Sequence, residues 1–558
     1  MLPVKVRSLV RRYLPLGVVL VAQALIIGIF PSTSASQSAS GGAGVTSGGA
    51  PAGFSGTATG ATGDTSHCVG GREFPTSIDY YAPPCTPGRV GGSYDNGGST
   101  YQGVSNNTIT VVDYYADAGA VVDTILKAQG LYVSYEQTQQ VDRAFQNFVN
   151  SHYVLWGRKL KIEPYRGSCQ TVPPDYSCLL AEMDTIVQTV HPYAVSWGTT
   201  LCSACYARLA QDHTVALGGV GFSDAFAQAN APYFWSPGES STHIEQGFAK
   251  FWCNQLTSRD SSRVVSFAQN KNPAQNFNGQ KRVLGVISTN DPDNEDTVTN
   301  VLVPALNRDC GDGASVARHH YFYSQDISTA AQQINAGISV MDTPNEPATD
   351  VLCLCDPVAP ELLYSGEQQH NYYPENVLAD AQGMGVDAVA QAYESTPTQQ
   401  SLACPTPQSG CEFDTAFGIT SVSGLAPAKK ESGPKVYQLG GGTNLPMQAY
   451  AATGDWEGWN MLASLIENTG PDLTPARMAA AAPSLGTIGG GTTGQAEVGF
   501  SRGSFNWTID ARVVYWAKNA TSPYNGKTGT FVGIEGSRFL PNQYPKVSAP
   551  PIPKVRTS

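Results

Sequence analysis

Residues 181–219 read AEMDTIVQTVHPYAVSWGTTLCSACYARLAQDHTVALGG. Leu180, Met183, Ile186, Val187 and Val190 recur at helical spacing and predict a helix over 177–190 with one apolar face. YAVSW (193–197) follows as a short strand, 202–211 as a short helix and TVALGG (214–219) as the next strand. Strands alternating with helices over so few residues predict a parallel sheet covered on both faces.

The same alternation extends outward in both directions. Upstream, TITVVDYY (108–115) is a strand by its β-branched content. Ser134 with Gln137 forms a capping box before Val141, Phe145, Phe148 and Val149, and GRKLKIE (157–163) is the next strand. Downstream come YFWS (233–236) and a helix from Thr242 bearing Ile244, Phe248, Phe251 and Leu256. A second series then begins. RVLGVIS (282–288), HYFY (320–323) and DVLCLC (350–355) are strands, with helices at 295–307 and 326–340 between them. After 395 the chain reads as irregular. Helices return at 447–468 and 475–482, and strands of antiparallel character are expected at 496–500, 508–516 and 529–534. Two series suggest two lobes.

Composition bounds the function. The chain has 558 residues, with 33 Lys plus Arg against 45 Asp plus Glu and a net charge of −12, so no basic face offers itself to a nucleic acid. Lys5, Arg7, Arg11 and Arg12 precede an uncharged apolar run from Leu14 to Phe30, and small residues allow cleavage after Ala35. Residues 1–35 are therefore a signal peptide or an uncleaved signal anchor, and either places the remainder outside the membrane. Residues 36–105 form a Gly/Ser-rich tether ending in a cap clipped by cysteines, and 541–558 a Pro- and Lys-rich tail.

The order of these phrases resembles the type I periplasmic solute-binding proteins of the leucine/isoleucine/valine-binding kind, which serve ABC importers. AEMDTIVQTVHPYAVSWGTT (181–200), HTVALGGVGFSDAF (213–226), APYFWSPGESSTHIEQG (231–247), KRVLGVISTND (281–291), GDWEGWNMLASLIENTG (454–470) and GTFVGIEGSRF (529–539) carry the resemblance, which spans roughly 106–540. It implies an α/β fold of two doubly wound, Rossmann-like lobes joined by a three-crossover hinge. Lobe I is expected at 106–238 and 414–505, and lobe II at 239–413 and 506–540. The ligand would sit between the lobes beyond the carboxyl ends of the strands.

The resemblance also implies site residues. Thr199 and Ser203 lie in the loop GTTLCSAC, where the family holds a ligand carboxylate; an ordinary helix cap explains them equally well. Gly221 and Ser223 match a segment giving a carbonyl and a hydroxyl, though Ser223 or Asp224 also suits a helix cap. In the second lobe Asp291, Asp293 and Asn294 stand where the family has an aromatic residue, and Asp356 where it often has a second. Asp380 falls near the family's ammonium-binding acid. Against this, a solvated acidic turn opening a helix accounts for DPDNED (291–296). As a calcium loop it lacks the sixth-position glycine and the twelfth-position glutamate, so no metal is predicted. With carboxylates in place of aromatics, the expected ligand is a small polar solute, an amino acid or analogue, and a polar or cationic ligand fits the residues better than an apolar one. The expected partner is a membrane ABC permease or a sensor.

Twelve cysteines after a signal sequence favour structural disulfides. Cys68–Cys85, Cys404–Cys411 and Cys253–Cys310 are the expected pairs. The family precedent links Cys169 or Cys178 to Cys202 or Cys205. Cys353 and Cys355, close neighbours in one strand, are expected to resist bridging and leave a thiol. H-E-x-x-H and Walker motifs are absent, so neither catalysis nor a cofactor is predicted. The competing readings are a secreted hydrolase on this scaffold and a surface structural or adhesion protein with a vestigial cleft.

Overall fold

The computed structural model describes residues 63–543 apart from internal stretches, chiefly most of 117–131, then 197–201, 258–276, 381–384, 396–415 and 444–452. The N-terminal segment, Thr199 and the Cys404–Cys411 pair lie outside the described residues. Among the described residues no helix is long and apolar enough to cross a membrane.

The first sheet is parallel throughout. Its strands are β1 (Thr108–Tyr115), β2 (Lys159–Arg166), β3 (Ala194–Ser196), β4 (Val215–Leu217) and β5 (Phe234–Trp235), in the order β2-β1-β3-β4-β5. The helices between them are α1 (Tyr135–His152), α2 (Tyr176–Val190), α3 (Ser203–Gln211) and α4 (Asp224–Ala229). The capping box at α1 forms as read: the Ser134 hydroxyl accepts from the Gln137 N–H, and the Gln137 side chain from the Ser134 N–H.

The chain then crosses to a second sheet. Helix α5 (Ser241–Phe251) runs into a π turn at Trp252–Leu256. Strand β6 (Leu284–Thr289) leads into α6 (Pro292–Thr297), which passes through a second π turn, Val298–Leu302, into α7 (Val303–Asp309). Pro304 has no N–H to give the preceding turn, which fits the break in the expected 295–307 helix. Next come α8 (Gly313–Arg318), β7 (His320–Tyr323), α9 (Ile327–Met341), β8 (Asp350–Leu354), α10 (Ala359–His370), β9 (Glu375–Asp380) and α11 (Asp387–Ser395).

Strand β10 (Phe417–Thr420) corrects the sequence reading. The region after 395 was expected to be irregular and its 414–420 segment to belong to the first lobe. Instead β10 pairs parallel with β9 and extends the second sheet, so the return crossover lies after Thr420. Helices α12 (Ser432–Leu439), α13 (Thr453–Thr469) and α14 (Pro475–Ala481) then pack in the first core, beside the small ribbon of β11 (Thr487–Ile488) and β12 (Val498–Gly499). Strands β13 (Arg512–Thr521) and β14 (Thr528–Gly533) close the second sheet in the order β14-β13-β10-β9-β8-β6-β7, antiparallel as expected. One apolar cluster fills the first lobe, and two cover the faces of the second sheet.

The crossovers run side by side. Ser236 N–H donates to Phe505 O (3.0 Å), and Trp507 N–H returns a bond to Ser236 O (2.9 Å). Paired strands of this kind bend together, as a hinge requires.

Five disulfides form among the described residues. Cys68–Cys85 and Cys253–Cys310 match expectation. The family-derived link from Cys169 or Cys178 to the α3 loop is not made: Cys169 pairs with Cys178, and Cys202 with Cys205. Both rings are local because helix geometry brings their ends together. Asp175 caps α2 three residues before Cys178, and Cys202 and Cys205 sit one turn apart at the start of α3 with Cα atoms 5.3 Å apart. Cys353 and Cys355 are also bridged, contrary to expectation. Residues i and i+2 face the same side of a strand, and β8 ends at Leu354, so the Cα atoms approach to 5.1 Å, within disulfide range.

Candidate ligand-binding cleft

The helix starts that follow β3 and β4 meet the helix start that follows β6. Each helix cap faces the opposite lobe. Cys202 caps α3, its Sγ accepting from the Cys205 N–H (3.2 Å). Ser223 caps α4, its Oγ accepting from the Phe226 N–H (2.9 Å). Asp291 caps α6, a carboxylate oxygen accepting from the Asp293 N–H (3.0 Å).

Across the cleft these groups bond directly. The Ser203 hydroxyl donates to Asp291 Oδ2 at 3.0 Å. The Ser223 N–H donates to Asp293 Oδ2 at 2.8 Å, and its hydroxyl to Asp293 Oδ1. Both aspartates are enclosed, at 3% and 8% exposure, so the expectation of a solvated acidic turn fails for them. Asp293 stands two residues after the cap residue Asp291, in the same turn.

The other expected residues serve the frame. Gly221 touches the crossover: a Cβ there would lie 1.6 Å from the Glu239 carbonyl oxygen, so only glycine lets the two backbones pass. Asn294 donates to the Thr289 hydroxyl at the end of β6. Asp356 accepts from the Tyr323 hydroxyl (2.6 Å) and from the Ala359 N–H (3.2 Å). Tyr323 ends β7, so the second lobe does bring an aromatic ring to this edge from a strand that sequence reading had not connected to Asp356. Asp380 ends β9 opposite Thr420. Ser223, His243 and Asp224 do not form a nucleophile relay. His243 pairs with Asp224 at 3.2 Å, while the serine hydroxyl is given to Asp293.

Electrostatics oppose the ionised form of the second-lobe carboxylates. Burial raises Asp293 to about 6 and also raises Asp291, although the serine bonds favour the anions. Asp291 and Asp296 on the same turn add to the rise at Asp293, and Glu245 on α5 is in turn raised by Asp293. A carboxyl raised on closing favours the closed form at low pH and loses that contribution as pH rises through its closed-state value. For Asp293 the window runs from about 4 to about 6, worth at most ~3 kcal/mol. We expect the ligand-free chain to become more open across this window, read as a growing radius of gyration in small-angle scattering. An unchanged radius from pH 4 to 7 would contradict this.

No family model matches the chain, and no curated protein matches it. Solved structures do. The fatty acid ABC transporter substrate-binding protein from Thermomonospora curvata superposes with a TM-score of 0.52 at 13% identity, over 82% of this chain and 99% of that one. The chain has the fold of a type I periplasmic solute-binding protein. A possible leucine/isoleucine/valine-binding protein from Rhodopirellula baltica SH 1 gives a TM-score of 0.49 at 12% identity, over 76% of this chain and 96% of that one. An R. palustris solute-binding protein in complex with 4-hydroxybenzoate gives 0.47 at 9%, over 78% and 97%. The two sheets with their helices are the two lobes of this fold.

Proposed function

We propose that this chain is an extracytoplasmic solute-binding protein without catalytic chemistry. It captures a small polar, cationic or donor-rich solute between the α3 and α4 caps and the α6 cap, and presents it to an ABC permease or a sensor. One observation carries the reading: Asp291 and Asp293 are carried into the closed cleft against Ser203 and Ser223. Near neutral pH closing desolvates these carboxylates. A cation or a cluster of N–H donors offsets that cost, so the ligand favours the closed state through differential binding. Five disulfides support an oxidising compartment. No cofactor enters the proposal.

The test is a thermal-shift panel on the refolded chain, with amino acids, amides, polyamines, sugars, small acids, benzoates and fatty acids. A ligand at a thousandfold excess over Kd stabilises by about 4 kcal/mol, a shift of several degrees. Amines or amides should give the hits. Hits confined to benzoates or fatty acids would overturn the cationic assignment. A folded chain that nothing shifts would make the serine–aspartate pairs a permanent contact between lobes, favouring a structural or adhesive role.

A further inference from the structure

The cap ahead of β1 carries a cluster that the cleft does not use. His67, Cys68, Glu73 and Cys85 each bring one ligand atom to within 4.8 Å of the others. His67 Nε2 lies 2.9 Å from a Glu73 carboxylate oxygen and 3.4 Å from Cys68 Sγ. The other Glu73 oxygen accepts from the Thr86 N–H, and the Glu73 side chain is fully enclosed. His67 Nδ1 is buried and makes no hydrogen bond.

The backbone holds these four residues without help from the sulfurs. Gly70 and Gly71, both at positive φ, turn the chain, and Val69 and Arg72 exchange backbone hydrogen bonds. Glu73 N–H donates to Pro83 O (3.1 Å), Cys85 N–H to Gly71 O (2.9 Å), and Arg72 Nη1 to Ala82 O (2.6 Å). Phe74 packs edge-on against Phe148 and Tyr153 of the first-lobe core. With Cys68 and Cys85 joined, neither sulfur is a thiolate. Once separated they complete a set of two sulfurs, one imidazole and one carboxylate, which suits tetrahedral Zn²⁺. Tetrahedral bonds of roughly 2.0–2.3 Å need ligand atoms about 3.3–3.8 Å apart. The bonded sulfurs part and the 2.9 Å His67–Glu73 pair widens to reach this, while no atom starts more than 4.8 Å from another.

We propose that His67, Cys68, Glu73 and Cys85 form a thiol-gated site for a zinc-type divalent cation, closed by the Cys68–Cys85 disulfide and opened by its reduction. A dithiol supplies the two electrons. The protein S–S bond breaks to give two thiols, and the dithiol becomes a disulfide. Each thiol then releases its proton to solvent as the cation binds.

The test uses the full chain, treated with a dithiol, freed of it without air, and titrated with Co²⁺ as the probe. Thiolate-to-cobalt charge-transfer absorption should saturate at one Co²⁺ per chain and bleach with Zn²⁺. The C68S/C85S variant should lack it, and His67→Ala should weaken binding by more than the roughly 10–100-fold typical of an outer-shell partner. His67→Ala and Glu73→Gln keep both cysteines, so they test the site even if C68S/C85S misfolds. The proposal is overturned if the absorption persists in C68S/C85S. It is overturned equally if His67→Ala leaves affinity unchanged, if alkylation shows Cys68 and Cys85 free while no Co²⁺ binds, or if the disulfide survives the dithiol.

Discussion

Replacing Arg282 with Met should destabilise the second lobe by about 3–5 kcal/mol, because it strands two buried carboxylates. Arg282 precedes β6, while Asp350 and Glu375 are the first residues of β8, its neighbour in the sheet, and of β9, the strand beyond. One guanidinium nitrogen, Nη1, donates to both carboxylates, and all three side chains are essentially shut off from solvent. With both carboxyls ionised the group would carry one negative charge in excess, and burial raises Glu375 to about 8. Glu375→Gln should therefore cost much less than Arg282→Met. Exchanging all three for apolar residues of similar volume should recover most of the loss. The sign for pH follows from the raised value: the stability tied to Glu375 protonation is present below about 4.5 and fades as pH rises towards 8. In thermal unfolding the second-lobe transition of Arg282→Met should fall by about 6–20 °C, taking ~2–4 °C per kcal/mol for a lobe of this size. A fall under about 2 °C would show that the ion group does not hold the sheet.

The second large effect belongs to the first lobe. Asp79 in the cap gathers four donors: the Tyr81 N–H (2.9 Å), the Ser432 hydroxyl (3.0 Å), Trp456 Nε1 (2.7 Å) and Asn460 Nδ2 (2.8 Å). Those bonds tie the cap to α12 and α13, and Asp79 is buried. Asp79→Ala leaves the donors unpaired in a dry site, a loss of several kcal/mol. Residues 63–105 should then become the first site of limited proteolysis, while the second-lobe transition stays in place. Protease resistance matching the parent chain would mean that packing of Phe74 and Tyr81 alone secures the cap.

The parts of the fold that were legible in sequence are those with local causes. The Ser134–Gln137 box, the apolar face of α2 and the β-branched run of β1 each appear where residue pattern places them. Strand β10 escaped because FGIT is only four residues long and follows a loop-like stretch; partners on β9 and β13, distant in sequence, make it a strand. The site divides the same way. Ser223 and Asp291 are helix caps and Ser203 opens α3 directly after its cap, which spacing reveals. That Ser203 bonds to Asp291, 88 residues on, depends on how two lobes meet, and no local pattern encodes it. Asp356 shows the same limit, since Tyr323, 33 residues earlier, reaches it from β7, on the far side of β6. The cysteine pairs were misread where family precedent stood in for geometry: one helical turn joins Cys202 to Cys205.

The central claim is that the lobes close on a polar solute through Asp291 and Asp293. Its most direct test is calorimetric titration of the best amine or amide from the panel into the parent chain and into D293N, near neutral pH. The account predicts one site per chain in the parent, with affinity at least tenfold weaker in the variant, about 1.4 kcal/mol. Equal affinity in the two chains would contradict it, because a ligand indifferent to Asp293 is not held by the carboxylate that the closed cleft enfolds.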